Sequence, residues 1–203
     1  MNFDSFMKLV RDWPVVETES VLEGFSSRSA LEVQMSRWAK LGKLIPLRRG
    51  FYILSEPYRK IEPSEFFLAS VLRQPSYISL EKALEYHDLI PEAVSVYTSV
   101  TPKRPMRYEA KLGIFDYKHL QPSLFWGYEA VTMKANQTGF IASPEKALLD
   151  LLYLKRIKVS QDYLESLRLQ NLEKLNSGKL RECARQFKSP RMLQAAEMIQ
   201  EYL

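Results

Sequence analysis

Six basic side chains stand close together between residues 26 and 54, and their type and spacing suit the binding of a polyanion. They are Arg28, Arg37, Lys40, Lys43, Arg48 and Arg49. Glu32 is the one acidic residue of the same segment, so the net charge of the segment equals the +5 of the whole chain. The rest of the chain is therefore close to neutral. A positive field confined to one segment is typical of a surface that binds phosphates.

The first half of this segment has the apolar spacing of an amphipathic helix. Leu31, Met35 and Trp38 fall on one side of such a helix. Ser29 with Glu32 fits a capping box, which would place Ser29 at the start of the helix. The opposite side carries mainly short polar and basic side chains, which can reach base edges and phosphates. The residues on this side are Ser29, Val33, Ser36, Arg37 and Lys40.

The second half of the segment predicts a two-stranded hairpin. Gly42 ends the helix at a position that can adopt a positive φ. The short apolar runs 44–47 and 51–54 surround Arg48-Arg49-Gly50, so both arginines are expected at the tip. Pro46 fits only an edge strand. A helix followed by such a hairpin is the order of a winged helix-turn-helix, which binds in a DNA groove.

The sequence therefore predicts double-stranded DNA as the partner, without a cofactor or a metal ion. The residues expected to contact DNA are Arg28, Ser29, Val33, Ser36, Arg37, Lys40, Lys43, Arg48 and Arg49. The two lysines are expected to contact phosphates. The two hairpin arginines are expected to reach the backbone or a neighbouring minor groove, where narrow A·T tracts attract arginine.

The chain is expected to form two domains of α+β class. Residues 1–56 would be the winged helix-turn-helix, residues 61–203 a second α+β domain, and Ser55–Lys60 a polar linker between them. Short apolar runs separated by turns predict a small, mostly antiparallel sheet in the second domain. Serine and proline helix starts near the end of the chain predict a helical tail.

One predicted helix of the second domain carries several charged residues. It begins at Ser143-Pro144, and its remaining positions are largely apolar. Glu145, Lys146 and Asp150 are interpreted as partners of the helix dipole and as surface pairs.

Composition restricts the class of protein further. The chain has 203 residues, of which 46% are hydrophobic and 12% aromatic, so it can bury an ordinary core. No apolar run approaches the ~18 residues of a membrane span, and the N-terminal residues lack the pattern of a signal peptide. Cys183 stands alone, which excludes a disulfide framework. A cytoplasmic location is expected.

Residues suited to catalysis are sparse. His87 and His119 do not have a metal-ligand spacing, and no nucleophile or phosphate-loop motif is present. Glu109 with Asp116 and Lys118 resembles an acid-x-lysine pattern that can hold Mg²⁺ for phosphodiester cleavage. Such triplets arise often by chance, so the sequence favours a protein that is not an enzyme.

Several segments together resemble the AbiEi-type antitoxins, a family of bacterial proteins with an N-terminal winged helix and a C-terminal antitoxin domain. The segments are LIPLRRGFY (44–52), YISLEKALEYHDL (77–89), TSVTPKR (98–104), FDY (115–117) and ASPEKALLDLLY (142–153). They occur in the order of the family and extend over nearly the whole chain.

The resemblance implies a protein with two roles. The N-terminal domain would repress its own operon by binding inverted repeats in the promoter, with two copies of a monomer or weak dimer on each operator. The remainder would counteract a partner toxin that resembles a nucleotidyltransferase.

Three alternatives stay open at this point. The first is a stand-alone winged-helix regulator whose second domain binds a ligand or dimerises. The second is the magnesium nuclease, and the third is an interaction module whose basic helix binds an acidic protein.

Overall fold

Two β-sheets organise the chain, and helices pack against both of them. The structure is a computed structural model that describes residues 1–156 and 159–202. Within those ranges the fold is α+β, with one three-stranded sheet and one six-stranded sheet. The predicted fold class is confirmed. We call residues 1–60 the first unit and residues 61–202 the second unit.

The first unit is a small helical bundle with a three-stranded antiparallel sheet of order β1-β3-β2. Its elements are α1 (Phe3–Val10), β1 (Val16–Glu17), a 3₁₀ turn (Thr18–Gly24), α2 (Arg28–Lys40), β2 (Leu44–Arg48) and β3 (Phe51–Leu54). The strand β2 lies at the edge of this sheet, so the missing N–H of Pro46 costs no ladder bond, as expected.

The cap of helix α2 lies two residues before the predicted one. Ser27 is the N-cap, and its hydroxyl accepts the N–H of Ala30 at 3.2 Å. The predicted capping box of Ser29 and Glu32 is therefore wrong, because Ser29 already lies in the first turn. Glu32 instead accepts a bond from the Arg28 side chain at 3.3 Å.

The end of α2 and the hairpin after it have the predicted glycine geometry. Gly42 has φ +70°, and its N–H and that of Lys43 bond back to the carbonyls of Ala39 and Trp38, which closes a Schellman motif. Gly50 has φ +80° at the hairpin turn. The Thr18 N–H and hydroxyl both donate to the Gly50 carbonyl, at 2.8 and 3.1 Å, and they fix the turn to the 3₁₀ segment.

The core of the first unit holds α2 in one orientation. Leu31, Met35 and Trp38 are buried, as their spacing predicts. The Trp38 ring packs against the rings of Phe3 and Phe6, with centroids 5.4 and 4.6 Å away. The opposite side of α2 is therefore fixed towards solvent.

The second unit is built around a six-stranded sheet of order β6-β7-β5-β4-β9-β8. Its elements are α3 (Glu65–Leu72), β4 (Tyr77–Ile78), α4 (Leu80–Tyr86), β5 (Val96–Thr101), β6 (Met106–Ala110), β7 (Gly113–His119), β8 (Tyr128–Thr132), β9 (Thr138–Ala142), α5 (Pro144–Lys155), α6 (Gln161–Ser166), α7 (Ser177–Gln186) and α8 (Pro190–Tyr202). The last three helices form the predicted helical tail.

This sheet is larger than predicted. The pairs β4–β9 and β5–β7 are parallel, and the other three are antiparallel. The predicted small size is therefore wrong, because the prediction missed two strands, whereas the mostly antiparallel pairing is confirmed. The strand β4 has only two residues and thus no alternation to recognise, and β6 follows a basic, proline-containing stretch that suggests a loop.

Helices cover both faces of the sheet. The Tyr117 hydroxyl donates to the Ala69 carbonyl at 2.7 Å, so α3 lies on one face. The Tyr77 hydroxyl points to the other face and donates to Asp150 of α5 at 3.0 Å. Strand alternation and register place the two tyrosines on opposite sides, so the sheet lies between α3 and α5.

The two units share the larger of two hydrophobic cores, because the hairpin of the first unit contributes to the core of the second, whereas α1 and α2 pack in a separate core. Leu47, Phe51 and Ile53 of the hairpin belong to the same buried cluster as the core of the second unit, and β2 lies beside β6. The predicted linker, Ser55–Lys60, packs against the first unit, since the Tyr58 ring lies 5.0 Å from that of Phe3. The hairpin therefore joins the two units.

In the described ranges, none of the helices has the length and apolar content needed to cross a membrane.

Candidate nucleic-acid interface

The solvent side of α2 presents one continuous stripe, which we call the α2 surface. It consists of Ser29, Val33, Ser36, Arg37 and Lys40, all of which are exposed. The spacing of three and four residues places them on one side of the helix. Val33 is 68% exposed although it is apolar, and Leu41 just beyond the helix is 64% exposed. The structure thus brings together five of the nine predicted contact residues.

Ion pairs divide the cations of this region into two groups. Arg28 lies 2.5 Å from Glu19 and 3.3 Å from Glu32. By contrast, Arg37 and Lys40 make no ion pair with any of the described residues. Arg37 and Lys40 are therefore the cations of the α2 surface that can bind an anion directly. Arg28 can bind one only after its ion pairs with Glu19 and Glu32 break.

Arg49 borders the α2 surface, whereas Lys43 lies over the Phe3 ring. The Lys43 ammonium lies 4.3 Å from the centroid of the Phe3 ring, and the residue is half-buried. Arg49 is at the hairpin tip with its side chain 91% exposed, and its guanidinium lies 3.9 Å from Glu32 of α2. The hairpin tip and α2 thus form one surface on this side.

Arg48 does not join that surface. It is half-buried, and its guanidinium carbon lies 3.5 Å from the centroid of the Phe51 ring. Its neighbours in a cavity include Arg73 and Lys103 of the second unit. Burial lowers the pKa of the Arg48 guanidinium. The sequence could not distinguish the two tip arginines, because the bulge in β2 between Pro46 and Arg48 that alters the strand register has no clear sequence signal.

The second unit contains a buried ion pair that the sequence interpretation placed at the surface. Lys146 and Asp150 of α5 have fully buried side chains and bond to each other. Asp150 also accepts bonds from the hydroxyls of Tyr77 and Ser79, at 3.0 and 2.9 Å. Glu145 is buried as well. The interpretation as surface pairs is therefore wrong.

Burial disfavours the charged forms of both partners. It lowers the pKa of the Lys146 ammonium and raises the pKa of the Asp150 carboxyl, and each charge offsets part of the effect on the other. The Lys146 ammonium also lies 4.6 Å from the centroid of the Trp126 ring. The sequence of α5 is apolar on nearly every side, which is typical of a helix that is buried all round. This pattern was the sequence signal for the burial of Lys146 and Asp150.

The residues of the nuclease hypothesis are engaged in other contacts. Asp116 lies 2.9 Å from Lys118, and Glu109 lies 3.0 Å from Arg107. Within residues 1–156 and 159–202, no three His, Cys, Asp or Glu side chains form a group that could hold a metal ion.

The face of the sheet that carries α5 also forms the floor of a groove of about 810 Å³. Its charged lining includes the pair Asp116–Lys118 and the pair Glu81–Lys155, whose atoms lie 2.7 Å apart. Most of its charges are therefore compensated within the protein.

The chain matches no protein-family model and no curated protein sequence. The function therefore rests on the geometry above, and the resemblance to the AbiEi-type antitoxins stays a prediction.

Proposed function

We propose that this protein is a cytoplasmic, DNA-binding repressor whose first unit is a winged helix-turn-helix. In this proposal α2 lies in the major groove and the β2–β3 hairpin is the wing. The observation that carries the proposal is the α2 surface, a stripe of exposed short polar and basic side chains on a helix whose other side is locked in a core.

The chemistry of the stripe suits a DNA groove. Short hydroxyl side chains such as Ser29 and Ser36 allow close approach and bond to either base edges or phosphates. The exposed Val33 matches the methyl group of thymine, which offers an apolar contact in the major groove. Arg37 and Lys40, which have no ion-pair partner among the described residues, supply charge for phosphates.

The wing contributes through Arg49 and Lys43 rather than through both tip arginines. Arg49 is exposed on the side of α2, whereas Arg48 turns towards the second unit. The proposed contact residues are therefore those of the α2 surface with Arg28, Lys43 and Arg49.

A binding titration with two duplexes tests this function. One duplex carries the region upstream of the protein's own gene, and the other is an unrelated sequence of equal length. We expect the full chain to prefer the upstream duplex by roughly 10³ or more, the lower end of specific recognition. Equal affinity for both duplexes would contradict specific repression.

Val33→Ala distinguishes sequence-specific DNA binding from general electrostatic attraction to DNA. The substitution removes an apolar contact and no charge, so we expect it to narrow the preference for the upstream duplex by about tenfold, within the range of one base contact. Leu41→Ala is the matched control, because Leu41 is equally exposed but lies beyond the predicted stripe. It should leave the preference unchanged.

On the resemblance to the AbiEi-type antitoxins we further propose that the second unit neutralises a toxin similar to a nucleotidyltransferase. Co-expression with the neighbouring gene tests this role. The full chain should be used, because removal of the first unit would strip Leu47, Phe51 and Ile53 from the shared core. We expect Arg37→Ala with Lys40→Ala to lose repression and to keep toxin rescue. Loss of both would contradict separate roles.

The groove of about 810 Å³ favours a second candidate, a stand-alone regulator whose second unit binds a small molecule. Its size lies in the range of ligand pockets, which is roughly 300–1,000 Å³. The absence of any toxic neighbouring gene would favour this candidate.

A further inference from the structure

A small cavity at the junction of the two units brings three cations together. It has a volume of about 240 Å³. Glu17, Arg48 and Phe51 line it from the first unit, and Arg73 and Lys103 line it from the second. One acid and three basic side chains therefore surround the same space.

The two arginines have hydrogen-bonding capacity left over. The Nε atoms of Arg48 and Arg73 are buried and have no hydrogen-bond partner among the described residues. Each of the two side chains makes one hydrogen bond to a described residue. Arg48 Nη1 donates to the Arg49 carbonyl at 3.2 Å, and Arg73 Nη2 donates to the Arg104 carbonyl at 2.8 Å. These Nε atoms are closed to solvent, so a ligand in the cavity would meet the outer guanidinium nitrogens instead. Of these, Arg48 Nη2 and Arg73 Nη1 have no hydrogen-bond partner among the described residues.

None of the three cations of the cavity forms an ion pair with a described residue. Burial lowers the pKa of the Arg48 guanidinium. Glu17 is the one acid of the lining, and it lies within 4.0 Å of none of the three cations. A bound anion would give all three cations a partner of opposite charge.

We propose that this cavity binds a small phosphate-type anion, either inorganic phosphate or the phosphate of a phosphomonoester. Guanidinium pairs match the geometry of phosphate oxygens, and Lys103 adds a third donor. The volume is below the roughly 300 Å³ at which pockets for drug-sized ligands begin, so it suits a small ligand.

The position of the cavity favours a free anion over a DNA phosphate. Arg49, the next residue along the chain, extends towards Glu32 of α2, whereas Arg48 extends towards the second unit. The cavity therefore lies away from the α2 surface. A bound anion would contact both units and strengthen the junction between them, whether or not the protein binds DNA.

A titration of inorganic phosphate into the full chain tests the proposal. Binding is measured by calorimetry at constant ionic strength, with chloride as the replaced anion, and thermal unfolding is followed in parallel. We expect saturable binding and a melting temperature that rises with phosphate concentration. Wild-type protein that shows no saturation would overturn the proposal.

Charge-removing substitutions locate the site. Arg48→Gln and Arg73→Gln should each weaken phosphate binding about tenfold or more, since a hydrogen bond to a charged group contributes about 1.4 kcal/mol or more. Arg49→Gln is the matched control, and it should change the affinity less than twofold. Lys103→Gln, at an exposed position, gives a further test if either arginine variant fails to fold.

The same variants distinguish the two sources of phosphate. If Arg48→Gln and Arg73→Gln weaken DNA binding while wild-type protein does not bind inorganic phosphate, the cavity receives the DNA backbone and the proposal is overturned. If they weaken phosphate binding and leave DNA binding unchanged, the free-anion site is supported independently of the proposed function.

Discussion

Charged residues occupy opposite environments in α2 of the first unit and in α5 of the second unit. On α2, Arg37 and Lys40 are exposed, and neither has an ion-pair partner among the described residues. On α5, Lys146 and Asp150 are fully buried and bonded to each other. Both helices are of similar length, so the difference lies in what covers them. The sheet and the C-terminal helices enclose α5, whereas α2 is covered on one side only.

This difference separates two roles of charge. A buried ion pair is sensitive to removal of either partner, because the other partner is then left uncompensated in a medium that solvates it poorly. An exposed cation contributes little to folding and is available for binding. Substitutions in α5 should therefore change stability, and substitutions on the α2 surface should change affinity.

The largest effect is expected from Lys146→Met. This substitution leaves the Asp150 carboxylate buried without its cation, and it should lower the free energy of unfolding by about 3–5 kcal/mol. Denaturant unfolding measures the loss. The double variant Lys146→Met with Asp150→Leu should be less destabilised than Lys146→Met alone. A double variant that is destabilised as much as Lys146→Met or more would contradict the uncompensated Asp150 charge as the cause of the loss.

A substitution at the junction tests how far the two units are independent. Leu47→Ala removes a buried side chain of the hairpin from the shared core, and it should cost about 2–5 kcal/mol. Calorimetry should still show one transition for the whole chain. Two separated transitions in wild-type protein would contradict a shared core.

Charge reversal on α2 should change affinity without changing stability. Arg37→Glu is expected to weaken DNA binding by tenfold or more, which is about 1.4 kcal/mol or more. The free energy of unfolding should change by less than about 0.5 kcal/mol, as is usual for surface substitutions. Lys111→Glu, at an exposed turn of the second unit, is the control and should leave DNA binding intact.

The smallest effect concerns an exposed pair of the second unit. Lys174 lies 2.8 Å from Asp88 and, by hydrogen bonding, holds the pKa of that carboxyl below its ordinary value. A lowered carboxyl pKa stabilises the fold above the ordinary value near pH 3.8, and this contribution is lost as the pH falls through the folded-state pKa. NMR titration should show the Asp88 pKa rising towards 3.8 in Lys174→Ala. An unchanged pKa would remove Lys174 as the cause.

The first unit was largely predictable because its signals are local. The apolar spacing of Leu31, Met35 and Trp38 and the glycines at positions 42 and 50 define α2 and the hairpin from short stretches of sequence. The exact helix start was missed, since Ser27 and Ser29 compete for the same role and only packing selects between them.

The missed features of the second unit depend on contacts distant in sequence. The strand β4 is defined by its neighbours β5 and β9 rather than by its two residues. The partners of Asp150 include Tyr77 and Ser79, which are more than 70 residues away. The cavity at the junction likewise joins Arg48 to Arg73 and Lys103 through the packing of two units. No local pattern contains this information.

The most direct test of the central claim is the salt dependence of DNA binding by wild-type protein and by Arg37→Ala with Lys40→Ala. If both side chains meet phosphates, the slope of log affinity against log salt concentration should fall in magnitude by roughly 0.9 for each phosphate that is no longer neutralised. Lys111→Ala should retain the wild-type slope. Identical slopes for all three proteins would show that the α2 surface does not contact the duplex.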